Sequence, residues 1–184
     1  MIVNRDSLTP FQALSEKILL LILAEYDSRI LSEPAFKLVI QTLIRHYPEF
    51  DMDNRKYYNK TQYYKRYFRF SKRAWTQYRT DPGKVMYEHL WPIDAIFEAL
   101  LQVKARSAKL DLQAVHEVMK ESEVIILSDE EANVLNGSPS QLYQIDGHSR
   151  RGAGLKSSGR PSQRLAAIGA EIEPATENNH VWAR

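Results

Sequence analysis

The chain has 184 residues, 43% of them apolar and 26% charged, a balance that excludes global disorder and leaves room for one domain with a sizeable core, or a domain with an ordered appendage. Its 25 Lys and Arg against 23 Asp and Glu give a net charge of +2, too little to imply a nucleic-acid partner by itself, while a pI near 8.7 leaves room for local basic patches. The absence of cysteine removes disulfides, thiolate nucleophiles and Cys-ligated zinc, and fits a reducing cytoplasm.

Thr9-Pro10-Phe11-Gln12 predicts a helix start, since the Thr hydroxyl can cap, Pro tolerates the first helical position and Gln at the third can reach back. This helix should run to about Glu25. Within it, Ile18–Ala24 is apolar but too short to span a bilayer and is bracketed by Glu16 and Glu25, so no membrane segment is expected. Ser32-Glu33-Pro34 predicts a second helix, with Phe36, Leu38, Val39, Leu43 and Ile44 as its apolar stripe, ending near Tyr47-Pro48. Residues 1–50 thus read as a helical scaffold.

Residues 51–84 change character. From Arg55 to Lys84 ten bases face one acid, Asp81, and aromatics are interleaved with them. If Lys60–Arg79 is helical, Tyr64, Phe68, Ser71, Trp75 and Tyr78 share one face and Lys65, Arg69 and Lys72 line a neighbouring one. The aromatics then read as core. Solvated helices usually mix charge signs, so the one-sided excess points to a phosphate-facing surface that includes Lys65, Arg66, Arg69, Lys72, Arg73 and Arg79. Asp81-Pro82-Gly83 ends this segment.

Residues 85–137 open on Lys84-Val85-Met86-Tyr87-Glu88-His89-Leu90-Trp91-Pro92, where a charged pair interrupts an apolar run. Its bland explanation is a solvated pair at a strand end. Helical patterns follow through Ile96, Leu100 and Val103 and again over Leu112–Lys120, with His116 read as solvated. Glu123–Leu127 reads as a short buried strand, and Ser128-Asp129-Glu130-Glu131 has capping-box spacing for a helix carrying Ala132, Asn133 and Leu135, stopped near Gly137. Residues 138–184 read as a flexible basic tail: Gly147–Arg164, with Arg150 and Arg151, is rich in Gly, Ser and Arg, and "LAAIGAEI" forms a small C-terminal element.

A strand ending in Glu88-His89, a helical excursion, a second apolar strand and a capped helix bearing Asn133 together resemble the HNH, or ββα-metal, nuclease motif over about Val85–Gly137. The resemblance implies a mostly helical α+β protein with a small HNH-like ββα element. It implies His89 as general base, Glu88 and Asn133 as ligands of Mg²⁺ or another divalent cation, and metal-dependent cleavage of nucleic acid, with DNA the expected substrate and the cytoplasm the expected compartment. The chemistry is coherent, because His suits proton abstraction near neutral pH and a carboxylate with an amide oxygen suits a hard cation. One geometric condition attaches to it: adjacent strand residues point to opposite faces, so Glu88 and His89 share a site only if the strand bends or ends there. The alternative is a non-catalytic protein on a degenerate HNH-like fold that binds nucleic acid or, with a protein partner, inhibits another nucleic-acid enzyme.

Overall fold

The computed structural model describes residues 8–50, 68–107, 110–145, 147–156 and 159–172, which form a mostly helical α+β protein with two small sheets. Among them no helix is long and apolar enough to cross a membrane. They divide into two compact units: a helical unit within 6–56 and 91–123, and a mixed unit within 57–90 and 124–172.

In the helical unit, α1 (Pro10–Glu25) begins with a capping box: Thr9 Oγ1 accepts from Gln12 N at 3.2 Å, and Thr9 N donates to Gln12 Oε1 at 2.9 Å. Of the apolar run in α1, Leu19 and Leu23 are fully buried while Leu21 is 69% exposed. A short α2 (Ser28–Leu31) leads to α3 (Pro34–His46). The other two main helices, α5 (Ile93–Arg106) and α6 (Leu112–Met119), come from the excursion between the two strands of the resemblance. Their stripes, Ile96, Phe97 and Leu100 from α5 with Val115 and Met119 from α6, join Leu19 and Ile40 in one core. The boundaries at 50 and 85 expected from composition therefore do not match the folded units, because residues 91–123 need the N-terminal helices to bury their apolar faces.

This core is polar at one end. Glu16, 1% exposed, accepts from Tyr47 Oη at 2.5 Å and lies 2.9 Å from His116 Nδ1. Burial, reinforced by the bond to Glu16 and its charge, pushes the Tyr47 phenol far up. His116 is thus a partner of a buried carboxylate and not the solvated residue its sequence context suggested. Glu49, also buried, is met by His46 Nδ1 at 2.5 Å.

The mixed unit centres on β3 (Val124–Ser128), buried along its whole length. It pairs in parallel with β1 (Arg69–Phe70) and antiparallel with β2 (Val85–His89), in the order β1-β3-β2. Between β1 and β2 lies α4 (Lys72–Thr80), and its start corrects one expectation. Arg69 and Phe70 pair with β3, and Ser71 Oγ accepts from Ala74 N at 3.0 Å, so the helix begins only at Lys72. Phe68 and Phe70 follow strand alternation. Arg69 and Lys72 consequently do not share a helix row, and Lys65 and Arg66 lie outside the described residues. One face of the sheet carries Phe70, Val85, Tyr87 and Ile126 against Ala74, Trp75 and Tyr78 of α4. The other carries Ile125 and Leu127 against Ala132 and Leu135 of α7 (Asp129–Asn136), with Ile145 and Ile168.

The capping box expected at α7 forms: Ser128 Oγ accepts from Glu131 N at 3.2 Å, and Glu131 Oε2 accepts from Ser128 N at 2.9 Å. The same carboxylate, 1% exposed, accepts the Ser71 hydroxyl that caps α4 and lies 3.3 Å from the Arg73 guanidinium. One acid thereby joins two helix starts.

The segment read as a flexible basic linker is structured over most of its length. A hairpin of β4 (Leu142–Ile145) and β5 (His148–Arg151) is followed by residues whose backbone serves the end of α7. Ala153 N donates to Val134 O at 2.7 Å, Gly154 N to Gly137 O at 2.8 Å and Leu155 N to Leu135 O at 3.0 Å. These carbonyls are ones a helix terminus leaves without intrahelical partners, so a stretch with few apolar side chains still earns a fixed place through its main chain. Then α8 (Pro161–Ile168) buries Arg164 and Ile168. Gly137 does end α7, although with extended backbone; a side chain there would meet the Tyr143 ring.

Two outcomes are expected in urea denaturation. Gly152→Ala destabilises by about 1–3 kcal/mol, because the added Cβ meets the backbone carbonyls of Gly137 and Ser138, which cannot swing away. Tyr47→Phe costs about 0.5–1.5 kcal/mol for one lost bond, whereas Glu16→Ala costs more, about 1–3 kcal/mol for each of the groups it strands.

Candidate functional site

β2 ends at His89, but without the bend that would bring Glu88 and His89 to one side. β2 keeps its register to its last residue, with Glu88 opposite Ile125 and His89 opposite Val124. His89 falls on the aromatic face, its ring 5.5 Å from that of Tyr87 and at 86° to it. Glu88 falls on the α7 face. Asn133 points away from both: Ala132, Val134 and Leu135 take the buried side of α7, which leaves Asn133 exposed. Glu88, His89 and Asn133 therefore do not converge as one metal and general-base centre.

What the α7 face does assemble is a different cluster around Glu88. Arg164 Nη2 of α8 donates to Glu88 Oε1 at 2.6 Å, and Asn136 Nδ2 to Glu88 Oε2 at 3.4 Å. The Arg164 side chain is 1% exposed and its Nη1 donates to the Leu155 carbonyl. Burial raises the Glu88 pKa; the charge of Arg164, the bonds from Asn136 and Arg164 and the charge of Lys156 act against it. Burial likewise lowers that of Arg164, against the pull of Glu88. At both ends desolvation exceeds attraction, as buried ion pairs commonly show. The donor set around Glu88 does not fit a divalent cation: it presents N–H groups, and among the described residues no group of three or more His, Asp or Glu could hold a metal.

Asn136 and Arg164 were visible in the sequence as stripe positions. Asn136 continues Ala132 at i+4, while Asn133 steps off that stripe, and Arg164 precedes the buried Ile168 by four. A polar residue on a core stripe marks a partner inside the fold.

The exposed basic residues behave differently. Arg79, Arg150 and Arg151 lie on the surface of the mixed unit with Lys84, Lys156 and Arg160. Every residue of β5 is exposed. Arg150 Nη1 reaches the Ile168 carbonyl at 3.4 Å and Arg151 Nη1 the Pro139 carbonyl at 3.3 Å, bonds that orient each guanidinium and leave it further N–H groups. Lys72 is exposed and paired with Glu171 at 2.6 Å, while Arg73 is turned inward to Glu131. Within the mixed unit the exposed, described side chains comprise seven Lys and Arg against three Asp and Glu; in the helical unit they comprise five against eight. The near-neutral total thus conceals a basic unit and an acidic one.

Expected from this geometry, Asn133→Ala stays within about 0.5 kcal/mol of wild type, as surface changes usually do, whereas Asn136→Ala costs about 1 kcal/mol for its bond to Glu88; chemical denaturation distinguishes the two. Compared with protein-family models, curated proteins and solved structures, the chain matches none.

Proposed function

We propose that the chain is a non-catalytic nucleic-acid-binding protein, with DNA the expected ligand, that engages the phosphate backbone through the mixed unit. The observation that carries this reading is the set of seven exposed cations against three exposed acids among the described residues of that unit. The partly buried Glu88 and the buried Glu131 take up Arg164 and Arg73 as their ion-pair partners, neither of which belongs to the exposed set. Arg150 and Arg151, on opposite faces of a two-stranded ribbon of a kind that a major groove can admit, offer a guanidinium to each side of that contact. Lys72, Arg79 and Lys84 on and beside α4 extend it, and Lys65 and Arg66 add to the basic run by sequence. Phosphate contacts of this sort orient and hold a duplex without reading its bases. The cytoplasm is the compartment this reading expects.

Fluorescence anisotropy with a labelled 20-bp duplex tests the reading. Binding should be insensitive to sequence, and replacing Arg150 and Arg151 with Ala should make the slope of log affinity against log salt shallower by roughly 0.9 per lost contact. An unchanged slope removes the hairpin from the interface. Nicking of supercoiled plasmid in Mg²⁺ or Mn²⁺ that disappears in His89→Ala, where loss of a general base costs about 10²–10⁴ in rate, would return the conclusion to a nuclease.

A further inference from the structure

We infer that Arg164 is the resident cation of the element formed by β2, β3 and α7: its guanidinium fills the place beside Glu88 that a divalent ion would take, and by doing so holds α8 on the sheet. A buried carboxylate needs a counter-charge or must give up its own. Here the counter-charge comes from inside the chain. The Arg164 fork spends one N–H on Glu88 Oε1 and another on the Leu155 carbonyl, so the same side chain meets β2 and the segment that closes the end of α7. Asn136 turns its NH₂ to the second carboxylate oxygen, the orientation that bonds a carboxylate and not one that shares a metal with it. Lys156 adds further positive charge near Glu88, which would repel a second cation. Position supports the assignment as well: α8 packs on the α7 face, where Arg164 and Ile168 are its two fully buried side chains, so the guanidinium and one aliphatic group carry its docking.

The inference is independent of nucleic-acid binding, and its test uses neither DNA nor activity. Two measurements on the full chain decide it. In a Mn²⁺ titration followed by electron paramagnetic resonance, the EDTA-stripped protein should leave the free-ion signal unchanged at stoichiometric concentration. Uptake of one Mn²⁺ that is lost in Glu88→Gln would overturn the proposal. In thermal melts, Arg164→Met should lower Tm by leaving Glu88 uncompensated, and adding Glu88→Leu should recover Tm toward wild type, because the pair is then replaced by apolar groups of similar size. A double variant that folds where Arg164→Met does not supports the same conclusion. Tm losses that simply add, with Glu88→Leu as harmful in the Arg164→Met background as alone, would show that the two side chains act separately and would sink it.

Discussion

Among the described residues three carboxylates, Glu16, Glu49 and Glu131, are buried and a fourth, Glu88, is partly buried, and the need to satisfy each of them shapes the elements around it. Removing a carboxylate from water costs several kcal/mol unless hydrogen bonds and opposite charge replace the lost hydration. In the mixed unit, Glu131 and Glu88 meet Arg73 and Arg164; in the helical unit, Glu16 and Glu49 meet His116 with Tyr47, and His46. Each pairing crosses between elements or closes the end of one. Glu131 ties together the starts of α4 and α7, which follow the same end of the parallel strands β1 and β3 and lie on opposite faces of the sheet, so the two faces share one anchoring acid. The apolar clusters supply the bulk of the driving force, but they are non-directional; the acids fix which helix starts where.

This interior arrangement also decides what the surface carries. Because Arg73 and Arg164 are turned inward, the acids of the mixed unit lose much of their outward field while the remaining Lys and Arg stay exposed. The opposite holds in the helical unit, where buried acids are met by His and Tyr and the exposed set is acidic. A potential summed over one unit therefore differs in sign from that of the other, and an average taken over the chain hides both.

Sequence signals and structure agree where the physics is local. The caps at Thr9 and Ser128, the buried strand expected over 123–127 and found over 124–128, and the helix expected over 112–120 and found over 112–119 each depend on neighbours a few residues away. The start of α4 was misplaced because Phe68, Ser71 and Trp75 fit a helical period, while the competing pairing of Arg69 and Phe70 with β3 is a contact that spacing does not contain. The candidate site failed on the same ground. Glu88 and His89 were identified as an unusual pair, and the alternation that separates them was recognised, but only the unbroken register with β3 settles on which side each lies. Composition alone makes residues 147–164 look flexible, since main-chain bonds to the carbonyls of α7 leave no mark in side-chain identity.

The distance along the chain between each buried acid and its answer has a consequence for synthesis. Glu88 leaves the ribosome 76 residues before Arg164, and Glu16 emerges 100 residues before His116. Through that interval the acid has only its neutral partner, Tyr47 for Glu16 and Asn136 for Glu88, and lacks the basic residue that completes its site. The pairs that fasten these faces therefore form only after long stretches of chain have been made, and contacts of such sequence separation form late and slowly.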